Sequence, residues 1–251
     1  AMAEMDSEQR ATWEAIYDKK NEEFLKNPSV GKDLLRWKYQ RYVKEYCRTI
    51  RSVDEQVGRL LDYLEEKGVL DNTVIVYTSD QGFLLGEHGL YDKRFMYEES
   101  FRTPLIISCP SLVKKHSVCK ELVQNIDLAP TFLSLAGVEV PKEMSGRSLL
   151  PLFKNGKAEN WRNELYYHFY DYPAVGSVRK HDGIRTKRYK LIHWHGEGSG
   201  NDEAIDFWEL YDLKKDVMEV NNVYDNPKYV KVREALTVQL EKLRKDVGVT
   251  E

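Results

Sequence analysis

The sequence predicts an α/β fold: a mostly parallel sheet with helices, then a small antiparallel-sheet subdomain closed by a C-terminal helix. Three observations lead there. A long amphipathic helical pattern runs into a β-branched apolar segment, the chain beyond Pro151 turns aromatic-rich and alternating, and the last stretch returns to helical spacing.

Between Asp33 and Lys67, apolar or aromatic residues fall at Tyr39, Tyr42, Tyr46, Ile50, Val53, Val57, Leu60 and Leu64. Steps of three or four predict one long helix. Gly68 is placed to stop it, and Asp71-Asn72 reads as a turn. Thr73 to Thr78 (TVIVYT) is a β-branched apolar run of the kind a parallel strand covered on both faces requires. Pro104 to Cys109 (PLIISC) is a second such strand, and Leu122 to Ile126 reads as a third. A helix capped by Asp127 follows, with Pro130 tolerated in its first turn and Gly137 at its end. Beyond Pro151, the segments LYYHFYDY, HDGIRTKRYKLIHWH and FWELYDL predict the antiparallel sheet. Pro227 to Val247 then predicts a helix through Val230, Val232, Leu236, Leu240 and Leu243. A boundary near residue 160 separates the α/β part (1–160) from the antiparallel-sheet subdomain (161–251).

The 251 residues are enough for a real core, and 41% hydrophobic with 31% charged side chains describes a folded, soluble chain. With 38 basic against 41 acidic residues the net charge is −3, so no overall cationic field exists to attract nucleic acid. No apolar run is long enough for a membrane span, and the opening AMAEMDSEQR lacks the apolar stretch of a signal peptide. Cys47, Cys109 and Cys119 make neither a disulfide framework nor a C-x-x-C pair.

Chemistry concentrates between the first two strands, in residues 79 to 103, a long loop rich in glycine and charge. Asp80 and Gln81 fall at the carboxyl end of the first strand, where open α/β sheets place ligands. A carboxylate and an amide oxygen suit a hard cation. A turn-capping Asp80 beside an exposed Gln81 fits the spacing equally well. Lys93 is a compact three-donor cation suited to an anionic oxygen, and His88 could shuttle a proton or orient a neighbour. Glu98, Glu99 and Arg102 read as surface charges or as ion pairs that fix the loop to the following strand.

The order Ser79-Asp80-Gln81-Gly82, Leu85-Gly86-Glu87-His88-Gly89, Asp92-Lys93-Arg94, Tyr97-Glu98-Glu99-Ser100 and Arg102-Thr103-Pro104-Leu105-Ile106 resembles the second half of type I, formylglycine-dependent sulfatases. These are alkaline-phosphatase-like α/β enzymes. Asp127-Leu128-Ala129-Pro130-Thr131, Gly146-Arg147-Ser148-Leu149, Gly183-Ile184-Arg185-Thr186 and Glu209-Leu210-Tyr211-Asp212-Leu213 continue the family's order. The resemblance thus covers the chain from about Trp37 onward. Asp92-Lys93-Arg94 together with Gln81 is most similar to the N-acetylglucosamine-6-sulfatase branch.

This resemblance implies that the fold is the C-terminal part of a sulfatase α/β sandwich. It implies Ca2+ as cofactor, with Asp80 the late aspartate ligand and Gln81 the adjacent ligand, where many members carry Asn or His. Lys93 is implied to be catalytic, binding a sulfate oxygen and neutralising charge that develops on the leaving alkoxide. The implied substrate is a sulfated carbohydrate such as 6-O-sulfated N-acetylglucosamine in glycosaminoglycans or mucin glycans. In that branch the C-terminal subdomain leans over the active-site mouth, which makes His168 and His181 candidate sugar contacts. A histidine satisfied within a sheet explains His181 about as well, and His168 better. Trp194, Trp208 and the tyrosines around Tyr166 read as core.

The nucleophile motif, C/S-x-P/A-S/x-R, is absent from the sequence; Cys47-Arg48-Thr49-Ile50-Arg51 lacks its Pro or Ala and falls in the long helical pattern. The remaining calcium ligands and the upstream catalytic His and Lys set are absent as well. The expectation is therefore a chain inactive by itself, weak in calcium binding, and partnered by a nucleophile-bearing N-terminal sulfatase half. Self-association through exposed sheet or apolar surface is one compensation open to such a chain. Export to a periplasmic, extracellular or lysosomal compartment is the family's habit. Two rival readings are a phosphoesterase of the same superfamily and a non-catalytic sulfated-glycan-binding module.

Overall fold

The computed structural model describes residues 4–172, 178–198 and 203–249. The chain divides into two compact units, Ala1–Lys67 and Gly68–Glu251.

The first unit is a helical hairpin of α1 (Ser7–Lys26) and α2 (Gly31–Glu66). Asp6 starts α1 by accepting from the backbone N–H of Glu8 and Gln9, while the Gln9 side chain reaches back to the Asp6 N–H. The periodic stretch read from the sequence is α2, beginning two residues earlier than expected. Phe24 stacks on Trp37 at 4.1 Å, Lys20 pairs with Glu45 at 2.9 Å, and Arg41 donates to Asn21 at 2.9 Å. Gly68, at φ +66°, ends α2 in the left-handed conformation that favours glycine.

The second unit runs in chain order through β1 (Ile75–Thr78), β2 (Leu84–Leu85), β3 (Tyr91–Asp92), α3 (Glu98–Phe101) and β4 (Leu105–Ser108). It continues through α4 (Leu128–Leu135), α5 (Leu150–Phe153), β5 (Glu164–Phe169), β6 (His181–Thr186), β7 (Tyr189–Gly196), β8 (Ile205–Asp212) and α6 (Val230–Asp246).

Two expectations are corrected here. β1 and β4 pair antiparallel, Ile75 opposite Ser108 and Thr78 opposite Leu105, rather than lying in a parallel sheet. They are also poorly covered, with Tyr77 39% and Ile106 62% exposed. A continuous apolar run states that a strand wants covering on both faces; it carries no information on the direction of its neighbour. The third strand, Leu122 to Ile126, does not form. That segment leads into a 3-10 turn, Asn125–Asp127, because its polar groups serve side chains: Gln124 N–H donates to Asp127 and the Leu122 carbonyl accepts from Trp161 Nε1, each at 2.8 Å. Asp127 does precede α4 but does not cap it. Its backbone is already helical and its buried carboxylate turns inward to Arg162, Arg147 N–H and Gln124 N–H.

The antiparallel sheet forms with strand order β5-β6-β7-β8. Ile184, Leu191 and Leu210 pack on one face against Leu236 and Leu240 of α6. Ile192, Trp194 and Tyr211 pack on the other against Met96 and Tyr97. The period-2 alternation thus sorts the strand residues into two apolar contacts, and both faces are covered. Leu149, Leu152 and Phe153 form a third cluster around α5.

Candidate functional site

β1 delivers Ser79, Asp80 and Gln81 at its carboxyl end. The Asp80 carbonyl accepts from Asn125 Nδ2 at 3.0 Å and Ser79 Oγ donates to the Gln81 carbonyl at 2.8 Å. These two bonds fix the backbone and leave the Asp80 side chain exposed and Gln81 half-buried. Gly82 and Phe83 then run against the α3 segment, their N–H groups donating to Ser100 O at 2.8 Å and Glu99 O at 2.7 Å. A Cβ on Gly82 would meet Glu99 O at 2.0 Å, so only glycine allows this approach.

Next comes a short hairpin in which Leu84 lies opposite Asp92 and Leu85 opposite Tyr91. That register sets Lys93 alongside Phe83, and so at the same end of the hairpin as Gln81. Asp92 and Arg94, which flank Lys93, hold φ values of +82° and +90° and pair with each other. Two non-glycine residues in this region cost of order 1–3 kcal/mol each, strain that the surroundings must hold. Lys93 is half-buried, and among the described residues its ammonium has no hydrogen-bond or ion-pair partner.

The loop is fastened to the sheet by a buried charge cluster. Lys190, on β7 and fully buried, donates to the Met96 carbonyl at 2.6 Å and pairs with Glu98 at 2.9 Å and Glu219 at 2.6 Å. Glu219 also accepts from Glu98 N–H at 2.6 Å, and Arg185 pairs with Glu98 at 3.2 Å. Burial raises the Glu98 carboxyl, but Lys190 and Arg185 outweigh it and hold that group below the usual range. Glu219 goes the other way, because burial outweighs Lys190. Glu98 therefore fixes the loop to the C-terminal sheet instead of to the following strand. His88 stacks on Tyr97 at 4.2 Å with Nε2 3.6 Å from Glu99.

His181 and His168 do not share a surface. His181 lies on the loop side of the sheet, stacked on Trp194 at 4.2 Å and near Tyr167, whose hydroxyl reaches the Arg94 carbonyl at 3.4 Å. Its Nδ1–H donates to Arg179 O at 2.9 Å, while the buried Nε2 has no hydrogen-bond partner among the described residues. Burial lowers its pKa to about 4, so the ring is neutral at pH 7 with Nε2 as an acceptor. His168, one residue from the Phe169 that pairs with His181, faces the α6 side, where its Nδ1 meets the Tyr166 hydroxyl at 3.1 Å.

Asp80 and Gln81 fit a hard cation in kind, since both offer oxygen, and fall short in number of the six to eight oxygens calcium takes. Residues that sequence reasoning passed over are the buried ions Lys190, Glu219 and Arg162, and a second cluster of Asp182, His193, His195 and Arg244 on the α6 side. Among the described residues, no helix is long and apolar enough to cross a membrane.

Comparison with known proteins gives the site its context. The family profile "Sulfatase" matches residues 5–138, and "N-sulphoglucosamine sulphohydrolase, C-terminal" matches residues 86–246. The N-acetylglucosamine-6-O-sulfatase of Bacteroides thetaiotaomicron is 49% identical over 243 residues, covering 96% of this chain and 42% of that protein. The multifunctional alkaline phosphatase superfamily protein PehA of Trinickia caryophylli is 35% identical over 196 residues, 73% of this chain and 36% of its own length. The structure of BT4656 in complex with its substrate D-glucosamine-2-N,6-O-disulfate superposes with a TM-score of 0.87 at 48% identity, over 97% of this chain and 48% of that one. The chain thus spans less than half the length of each of these relatives. Two family profiles, each matching more than half of the chain, and a superposition over 97% of this chain at 48% identity agree with the ordered loop motifs: the chain belongs to the sulfatase family and has its alkaline-phosphatase-like fold.

Proposed function

We propose that this chain supplies the late metal-binding and sulfate-binding part of a sulfatase that hydrolyses the 6-O-sulfate ester of N-acetylglucosamine-type sugars. The observation that carries the reading is the ammonium of Lys93, without a hydrogen-bond or ion-pair partner among the described residues and held between two strained residues at the hairpin end shared with Asp80 and Gln81. A cation there binds a sulfate oxygen and stabilises the negative charge that grows on the departing sugar oxygen. Asp80 and Gln81 would hold part of the coordination sphere of Ca2+, which when bound polarises the sulfate oxygens. His181, a sequence candidate for a sugar contact, is fully buried against Trp194 and Tyr167, so it packs the loop side of the sheet and makes no direct sugar contact in this reading. His168, on the opposite face, has no part in this reading.

The reading extends to organisation. A nucleophile-bearing sulfatase half is the partner, covering the exposed faces of β1 and β4, and self-association occurs through the same surface when that half is missing. The compartment is an exported one. The division near residue 160 marks the step from the α/β part to the sheet subdomain, whose first strand begins at Glu164.

The test is sulfate release from 6-O-sulfated N-acetylglucosamine with calcium, by the chain alone and with a nucleophile-bearing polypeptide that completes the relatives' length. Activity is expected only in the pair, reduced at least about 100-fold by Lys93→Ala, in line with loss of one charge-stabilising donor. Full turnover by the Lys93→Ala pair would remove Lys93 from the mechanism. The similarity to PehA makes a phosphate monoester the second substrate to assay; preferential phosphate release would reassign the chemistry within the superfamily.

A further inference from the structure

On the α6 side of the sheet, facing away from the loop that carries Lys93, three ligand-type side chains converge. Asp182 of β6 lies opposite His193 of β7, and His195 follows two residues on, so all three share one face. Asp182 Oδ1 lies 3.8 Å from His193 Nδ1 and 3.7 Å from His195 Nε2, and the three ligand atoms all fall within 4.8 Å of one another. We propose that this trio binds a divalent transition metal of the zinc class, in competition with the side chain of Arg244.

The hydrogen bonds set the imidazoles for it. Arg244 Nη2 approaches His193 Nδ1 at 3.1 Å; a guanidinium only donates, so Nδ1 accepts and its lone pair points into the cluster. The other nitrogen, Nε2, then carries the proton and donates to Asp206 Oδ1 at 2.8 Å. A carboxylate behind a histidine is the arrangement that orients metal-bound imidazoles. His195 Nε2 is buried without a hydrogen-bond partner among the described residues.

A cation already sits there. Arg244 donates to both Asp182 oxygens at 2.6 Å, and its Nη2 contacts Asp182 Oδ1 and His193 Nδ1 together. The guanidinium occupies the place a metal would take, on a side chain in the last turn of α6 that has a second, half-exposed partner in Glu241 at 2.6 Å. Swinging towards Glu241 would release the trio. Two imidazoles and one carboxylate suit zinc, cobalt or nickel, whereas calcium and magnesium prefer all-oxygen sets. Tetrahedral spacing around metal bonds of about 2.0–2.1 Å needs a contraction of about half an ångström in the two Asp182–histidine distances and of up to about 1.4 Å between the two imidazole nitrogens.

The test is calorimetric titration of the full chain with zinc chloride, alongside cobalt chloride followed by the visible absorption of four-coordinate cobalt. One-to-one binding is expected in the wild type, at least tenfold tighter in Arg244→Gln, at least tenfold weaker in His195→Ala, and unchanged in Asp80→Asn. His195→Gln, which keeps size and polarity, replaces His195→Ala if circular dichroism shows that the alanine variant is unfolded. Zinc binding that survives both His195 variants, binding confined to Arg244→Gln, or no binding in any variant would each overturn the proposal; the second would make Arg244 the permanent occupant, and the third would show that the trio holds no metal even when vacated.

Discussion

His181 gives the most direct route from this geometry to a measurement. The imidazole is fully buried, stacked on Trp194, and bonded through Nδ1–H to the Arg179 carbonyl. Burial is the main cause that takes its pKa from 6.5 to about 4, with the nearby Asp182 pulling the other way. The folded pKa therefore lies below the unfolded one. Above pH 6.5 both states are neutral and the contribution to stability is complete; as pH falls, the unfolded chain takes the proton first and the contribution is lost by pH 4. At about 1.4 kcal/mol per pH unit, the gap from 6.5 to about 4 amounts to about 3 kcal/mol, of which about 2.5 kcal/mol is lost by pH 4.5. Urea unfolding of wild type and His181→Phe at pH 7.5 and 4.5 isolates this contribution, because other titrating groups act on both proteins alike. At pH 7.5 the variant should be less stable by about 1 kcal/mol, having lost the bond to Arg179. By pH 4.5 it should have gained about 2.5 kcal/mol on the wild type. Parallel pH dependences would show that His181 titrates as freely when folded as when unfolded, and would refute the argument.

Other perturbations follow from the same contacts. Asp127→Ala strands the buried Arg162 guanidinium and two backbone N–H groups, and should cost about 3–5 kcal/mol by thermal unfolding, with much of the loss recovered in Asp127→Leu/Arg162→Met. Lys190→Met should cost about 3–5 kcal/mol because it leaves Glu98 and Glu219 buried with a single cationic neighbour. In contrast, Lys187→Met, at an exposed pair with Glu121, should cost at most about 1 kcal/mol. Gly82→Ala drives a methyl group to 2.0 Å from the Glu99 carbonyl and should cost about 2 kcal/mol or more, read as a fall in urea midpoint with unchanged slope.

How far the structure could be read in advance depended on the distance over which each contact acts. The period of α2 and the alternation of β5 to β8 are local, and both are visible as spacing. Helix α1 was also locally signalled, by Asp6 and Gln9 three residues apart, but its apolar residues follow no clear stripe, so periodicity passed over it. The direction of the β1–β4 pairing is a long-range property and left no mark on either strand. Nothing local to Lys190 marks it as buried, because the Met96 carbonyl and Glu98 that make it a buried ion lie more than 90 residues away in the chain. Asp127 and Arg162 escaped for the same reason. His193 and His195 announced a shared face through their spacing of two, whereas Asp182 joins them only through the β6–β7 register.

That register also separates the two sites physically. Along β7, Lys190, Ile192 and Trp194 face the loop that carries Lys93, while Leu191, His193 and His195 face α6. A slip of one residue would exchange the two sets, placing histidines against Met96 and a lysine against Leu236, so the double covering of the sheet holds the register firmly. Side chains on opposite faces touch through no atom of their own, and any coupling between them must pass along the shared strand backbone. Occupation of the Asp182 trio should then change the anchoring of α6 at Arg244 and leave the fastening of the loop by Lys190 and Glu98 as it is. Amide hydrogen exchange with and without zinc separates the two: protection should change in α6 and β6, and stay constant at Gly82 and Phe83, whose N–H groups bond the α3 segment. Equal changes at both places would mean that the sheet transmits strain between its faces, and that the two sites act as one.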